Sequence, residues 1–166
     1  MIAVTPGSNN RQNQVILYYT LLNHEYISLP LVNYAKSHFG WTTLQFSSIA
    51  YLKRFGKLSM SDLARHLFVS KQQATQLVTS LVKHGLATRI QSETNRRIIF
   101  VSATPIAVRR LQEAEDAFIA NVRQQLNTCP EKEKAEVVKA METMIAFTRD
   151  HGEEMLGVDL PPALYL

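Results

Sequence analysis

The stretch SMSDLARHLFVSKQQATQLVTSLVKHG, residues 59–85, decides the fold. Ser59 stands three residues before Asp62, the spacing of a serine N-cap with an acceptor in the first helical turn. A short helix carrying Leu63, Ala64 and Leu67 follows. Leu67-Phe68-Val69-Ser70 then reads as a turn whose apolar residues are expected to plug a corner between two helices. Ser70 stands three residues before Gln73, a second capping-box spacing. The helix it opens carries Ala74, Leu77, Val78, Leu81 and Val82, an i, i+3, i+4, i+7, i+8 set that predicts one core-facing side. Gly85 ends it.

The pattern changes downstream. Residues 86–90 and 97–101 are short runs with β-branched or apolar side chains, and Ile98, Ile99, Phe100 and Val101 favour strand over helix. Between them lies the polar, turn-like Gln91-Ser92-Glu93-Thr94-Asn95-Arg96. Two strands joined by an exposed loop are predicted. Upstream, Thr42 and Gln45 repeat the capping-box spacing before a helix with Leu44, Ile49, Leu52 and Phe55, closed by Gly56. Downstream, Thr104-Pro105 places an N-cap before a proline at the first helical position. Helix, turn, amphipathic helix and hairpin together make a winged helix-turn-helix. The predicted class is mainly α with a small β-hairpin wing.

The second helix of the motif has side chains suited to a DNA major groove, which is wide enough to admit a helix. Its outer side offers Lys71, Gln72, Gln73, Thr75, Gln76, Thr79, Ser80 and Lys83, with no carboxylate. Glutamine can bond N6 and N7 of adenine, and threonine can offer a methyl to thymine or a hydroxyl to phosphate. The N-terminus at Ser70 and Lys71 points free N–H groups outward, which suits a phosphate. On the predicted wing, Asn95, Arg96 and Arg97 form a loop that could enter a narrow minor groove or hold phosphates. Arg89, on the first strand, could hold phosphate or brace the loop. A solvated polar helix face is the competing reading, and the adjoining turn, hairpin and basic loop weigh against it.

The flanks are helical. Residues 15–27 cluster apolar side chains at helical spacing after a polar start at 1–13, Pro30 forces a break, and 31–39 is helical up to Gly40. After Pro105, Val108, Leu111, Ala114 or Glu115, Phe118, Val122 and Leu126 approximate one stripe. Thr128-Cys129-Pro130 interrupts. A last helix over about 131–149 carries Val137, Val138, Met141, Met144, Ile145 and Thr148 on one side, and the end, with Pro161-Pro162, is expected to be extended. That is more apolar helix than a 60-residue head can cover, and it suggests a second copy of the chain.

The totals are consistent with this reading. Of 166 residues, 46% are hydrophobic and 19% charged, so the chain is not of disordered composition. A formal charge of +4 permits a polyanionic partner without requiring one. The single cysteine, Cys129, makes no internal disulfide, and no Cys/His cluster suggests zinc. It reads as a packing residue or as a redox-sensing thiol. No targeting segment and no 18-residue apolar run is found, so a cytoplasmic protein is expected. No nucleophile elbow, phosphate-cradling glycine loop or HExxH motif is present, and neither enzyme activity nor a cofactor is expected. Tyr18, Tyr19, His24, Tyr26, His38, Trp41 and His66 gather near the junction of body and head, where core packing and an effector pocket are both open readings.

At these residues the chain resembles the MarR (multiple antibiotic resistance regulator) family of bacterial transcription factors. The likeness spans about 40–107. It rests on Trp41-Thr42, on Leu63-Ala64, on Ser70, Thr75 and Leu81 in the second helix, on Gly85-Leu86-Ala87-Thr88-Arg89, and on Val101-Ser102-Ala103-Thr104. The wing Asp-x-Arg of the family is Asn95-Arg96-Arg97 here, so the carboxylate–guanidinium brace is lost, although an amide can still hydrogen-bond. Gln76 and Ser80 stand where basic residues are common, which implies fewer phosphate contacts, and Pro105 and Ala107 also depart from the pattern. The resemblance implies a single domain with a DNA-binding head at 42–104, dimerisation helices at 1–39 and 105–150, and a C-terminal extension at 151–166. It implies a homodimer on a palindromic duplex, acting as a repressor relieved by a small aromatic effector or by oxidation. The expected DNA contacts are Ser70, Lys71, Gln72, Gln73, Thr75, Gln76, Thr79, Arg89, Asn95, Arg96 and Arg97. An adaptor binding protein through the same motif is the alternative.

Overall fold

The computed structural model describes residues 28–156, with the single positions Gln14 and Glu25. The helix expected over 15–27, the polar start and the extended end all lie outside the described residues. Within them the order is α1 (Leu29–Phe39), α2 (Thr43–Phe55), β1 (Lys57–Ser59), α3 (Met60–His66), α4 (Lys71–Lys83), β2 (Ala87–Gln91), β3 (Ile99–Ala103), α5 (Pro105–Leu126) and α6 (Glu131–Leu156). Pro30 sits in the first turn of α1, where its missing N–H leaves no intrahelical bond unmade. Gly40 closes α1 at φ 68°, a left-handed cap that glycine adopts without steric cost.

Each of the four capping signals in the sequence is a helix start. The side chains of Thr42, Ser59, Ser70 and Thr104 accept from the backbone N–H three residues on. At Thr42/Gln45 and Ser70/Gln73 the box is reciprocal, with the glutamine Oε1 accepting from the cap N–H at 2.9 Å. A cap of this kind stabilises its helix by about 0.5–2 kcal/mol. It also fixes the residue at which α4 starts, and so which side chains face outward.

The sheet is antiparallel in the order β1-β3-β2. The hairpin was expected; β1 was not. Its three residues are too few for an alternating pattern, yet Leu58 pairs with Val101 and is buried. The strands begin and end one or two residues later than the sequence suggested, so Arg97 and Ile98 belong to the wing loop. Thr104 anchors the base of the hairpin: its Oγ1 donates to the Gly85 carbonyl at 2.7 Å and its N–H donates to that of Leu86.

One core serves head and flank. Ile49 and Leu52 of α2, Leu63 of α3, Val78 and Leu81 of α4, Leu86 before β2, Val101 of β3 and Leu111 of α5 are all essentially inaccessible. Lys53 of α2 pairs with Glu115 and donates to Gln112, tying head to α5. Beyond Ala114 the helices leave this core. Ile119, Val137, Val138, Met141, Met144, Ile145 and Phe147 are exposed, and α6 runs through Gly152 to Leu156, past the end expected at 149. One glycine costs a helix about 1 kcal/mol relative to alanine, too little to stop it. Among the described residues no helix is long and apolar enough to cross a membrane.

Two expectations need correction. Val82 was placed on the core side of α4 but is 40% exposed, because it lies at the edge of the stripe on which Ala74, Val78 and Leu81 are centred. Phe68 was placed in the corner between α3 and α4 but is 87% exposed; Leu67 and Val69 fill that corner instead.

Candidate nucleic-acid interface

Burial of Ala74, Val78 and Leu81 fixes the rotation of α4. Lys71, Gln72, Gln73, Thr75, Gln76 and Thr79 are consequently exposed. The structure divides this predicted set by what each side chain already does. Ser70 and Gln73 spend their oxygens on the cap. Thr75 Oγ1 donates to the Lys71 carbonyl at 2.8 Å, and Thr79 Oγ1 donates to that of Thr75 at 2.7 Å. Lys71, Gln72 and Gln76 have side chains with no hydrogen bond among the described residues. Ser80 is half-buried and accepts from Gln45 Nε2 at 3.4 Å, linking α4 to the start of α2.

Arg89 links the wing to this helix by hydrogen bonds. Arg89 of β2 donates from Nη2 to Thr79 Oγ1 at 2.7 Å. Of the two roles open to Arg89 in the sequence, the structure favours a brace, but one between strand and helix. The loop beyond is organised by Asn95, whose Oδ1 accepts the N–H of Arg97 at 3.0 Å, while Gln91 Nε2 donates to the Arg96 carbonyl. The loop thus keeps its shape without a wing carboxylate. Arg96 and Arg97 are exposed, and neither guanidinium has an ion pair among the described residues.

The charge is unevenly distributed. Residues 42–104 hold nine Lys and Arg against two Asp and Glu, a formal +7 in a chain whose total is +4. The head is therefore strongly cationic, and the excess is masked by acidic C-terminal helices. The whole-chain sum hides this, and a sum by segment reveals it. One of the two acids, Asp62, is paired with Arg65 at 2.9 Å, and the other, Glu93, lies in the wing loop. Within the head, His66 is buried against Tyr51 and Phe55, with ring centroids 5.2 and 4.6 Å away. Burial, then the charge of Arg65, pushes its pKa below the usual 6.5, against the pull of Asp62. Burial likewise lowers Arg54.

The aromatic and titratable group expected near the junction does not form one pocket among the described residues. Tyr18, Tyr19, His24 and Tyr26 fall outside them. His38 stacks on Tyr34 at 3.8 Å, and Trp41 is buried beside Phe39. An open cleft of about 420 Å³ lies elsewhere, between α5 and α6, lined by Phe118, Ile119, Val122 and Leu126 with Arg123 and Lys134 at its edge. Cys129, half-buried at the end of α5, has Sγ 3.8 Å from the Gln125 carbonyl. Among the described residues no group of His, Cys, Asp and Glu could hold a metal ion.

A short helix, a turn, an outward polar helix and a braced two-arginine wing on a cationic head define a winged helix-turn-helix protein. The family model described as MarR family matches residues 39–98. Over that segment the chain is similar to the MarR family of transcription regulators. Solved structures agree on the fold. The Mycobacterium tuberculosis protein RV1404 is 20% identical with a TM-score of 0.72, covering 89% of this chain and 97% of that one. The apo form of wild-type MarR from E. coli is 17% identical with a TM-score of 0.63, covering 86% and 98%. A point mutant of MepR from S. aureus, bound to an oligodeoxyribonucleotide, is 15% identical with a TM-score of 0.60, covering 80% and 96%. No curated protein matches the chain by sequence.

Proposed function

We propose that the chain is a homodimeric, sequence-specific DNA-binding transcription regulator, acting as a repressor relieved by a small effector. The observation that carries the DNA reading is the +7 head whose Lys71, Gln72, Gln76, Arg96 and Arg97 keep their side chains free. In this reading Gln72 and Gln76 read base edges. Thr75 and Thr79, their hydroxyls bonded to the backbone, offer methyls to thymine. Ser70 and Gln73 hold the helix start toward phosphate, Asn95 shapes the wing, and Arg89 sets its distance from α4. Arg96 and Arg97 neutralise phosphates or enter the minor groove. MepR bound to an oligodeoxyribonucleotide supports the same use of this fold.

The homodimer is supported by the apolar side chains that α5 and α6 leave exposed, Ile119, Val138, Met141 and Ile145 among them. Large apolar side chains gathered on exposed helices mark an interface. A two-fold dimer carries two reading helices roughly 34 Å apart and fits a palindromic site. The repressor role and its effector rest on the family resemblance alone.

Fluorescence anisotropy on a duplex from the region upstream of its own coding sequence, repeated over a range of salt, tests the reading. The expected result is saturable binding whose log Kd rises linearly with log salt, by a dimer in light scattering. Binding that ignores salt, or none to that duplex or any other, would overturn it.

A further inference from the structure

Phe68 is the only non-glycine residue with a positive φ among the described residues, at 53°. The other three such positions, Gly40, Gly56 and Gly85, all carry glycine. A phenylalanine there sets its Cβ against its own backbone, which glycine would avoid. The conformation is imposed by the turn: the Phe68 N–H donates to the Arg65 carbonyl at 3.1 Å, and the Val69 N–H donates to that of Ala64 at 3.0 Å. Nor does the ring gain by packing, since it is 87% exposed while Leu67 and Val69 on either side join the core. A bulky apolar side chain is thus held outward at a position that suits neither its backbone nor its solubility. Strain and exposure together mark a contact surface.

Its place in the fold selects the partner. Phe68 lies in the turn between α3 and α4, two residues before the cap of α4. The N-terminal end of the second helix is the part of such a motif that enters a major groove. The exposed side chains that follow are Lys71 and Gln72, Arg65 precedes, and the head as a whole is +7, so the surface around the ring suits a polyanion. We propose that Phe68 is a DNA-contacting residue whose ring covers apolar groove wall, deoxyribose and thymine methyl, beside the start of the reading helix. This rests on the DNA reading above and adds a non-ionic contact to it.

The test compares Phe68→Gly, Phe68→Asn and Phe68→Trp in the full chain on the upstream duplex. Glycine and asparagine tolerate the left-handed backbone, so their melting temperatures are expected to equal or exceed that of the unmodified chain. Their Kd is expected to rise about tenfold or more, the loss that follows when roughly 60 Å² of ring surface goes uncovered. Phe68→Trp keeps most of the affinity. The salt slope stays the same in all three, because every phosphate-binding cation is retained. Unchanged affinity in Phe68→Gly and Phe68→Asn overturns the inference and leaves the ring to a protein partner. A loss of affinity that comes with a lowered melting temperature in both variants overturns it too. If the unmodified chain shows no salt-dependent DNA binding, the DNA reading falls first, and the inference with it.

Discussion

Arg89 on the first wing strand reaches across to Thr79 on the reading helix, Nη2 to Oγ1 at 2.7 Å, and also approaches the Thr75 carbonyl at 3.5 Å. Thr79 Oγ1 accepts this bond while donating its own hydrogen to the Thr75 carbonyl. The three groups form a short chain that sets the wing against the helix. If wing and helix bind neighbouring grooves, their separation is part of the recognition geometry.

Arg89→Ala is therefore expected to weaken DNA binding even though its guanidinium is already engaged. Thr79→Val is expected to do the same through the same link. The two losses should be non-additive by roughly 0.5–1.5 kcal/mol in a double-mutant cycle on binding, the coupling of residues in one hydrogen-bonded network. Arg89→Lys should recover little, since an ammonium lacks the planar reach of the fork. Strict additivity would show that Arg89 acts on DNA directly and not through Thr79.

The two wing arginines are expected to act through charge. Alanine at Arg96 or Arg97 should weaken binding on every duplex alike, and each phosphate left without its cation should flatten the log–log salt slope by about 0.9. Asn95→Ala removes the acceptor that holds the Arg97 N–H, and should reproduce part of that weakening without removing a charge. Asn95→Asp keeps the acceptor and should bind more nearly as the unmodified chain does. An unchanged salt slope in the Arg96, Arg97 double variant would show that the wing does not touch the backbone.

What the sequence conveyed was mostly local. Capping pairs at a spacing of three are set by a few neighbouring atoms, and Thr42, Ser59, Ser70 and Thr104 all cap as read. The core side of α4 was legible at Ala74, Val78 and Leu81, where the periodicity and the neighbouring helices agree. Val82 belongs to the same periodic set but sits at its edge, and the sequence alone does not mark how wide a stripe the neighbouring helices cover. Strand β1 escaped because three residues carry no alternation and their partner lies far along the chain. Phe68 escaped because Leu-Phe-Val reads as core, while a left-handed backbone leaves no trace in composition. The cationic head was legible residue by residue, yet the chain total diluted it.

The correction at Val82 carries a stability test. Leu81 is fully buried and Val82, its neighbour, is not. Leu81→Ala should cost about 2–5 kcal/mol in urea unfolding, from lost burial and the cavity left behind. Val82→Ala should stay within about 0.5 kcal/mol, as at ordinary surface positions. Comparable losses at both sites would return Val82 to the core side of α4.

His66 makes the stability of the head depend on pH. Burial disfavours its charged form first, Arg65 and Arg54 add repulsion, and Asp62 opposes them in part. Its folded pKa lies below the unfolded value of 6.5, so below that pH the unfolded chain binds the proton more readily. The contribution of neutral His66 is therefore fully present above pH 6.5 and is lost as the pH falls toward and through the folded pKa. His66→Phe keeps a ring against Tyr51 and Phe55 and removes the titration. Between about pH 7.5 and 5, a window that brackets the ordinary histidine range, the melting temperature of the unmodified chain should fall further than that of the variant, with the other histidines common to both. Parallel curves would show that His66 takes up its proton as easily in the folded chain as in the unfolded one.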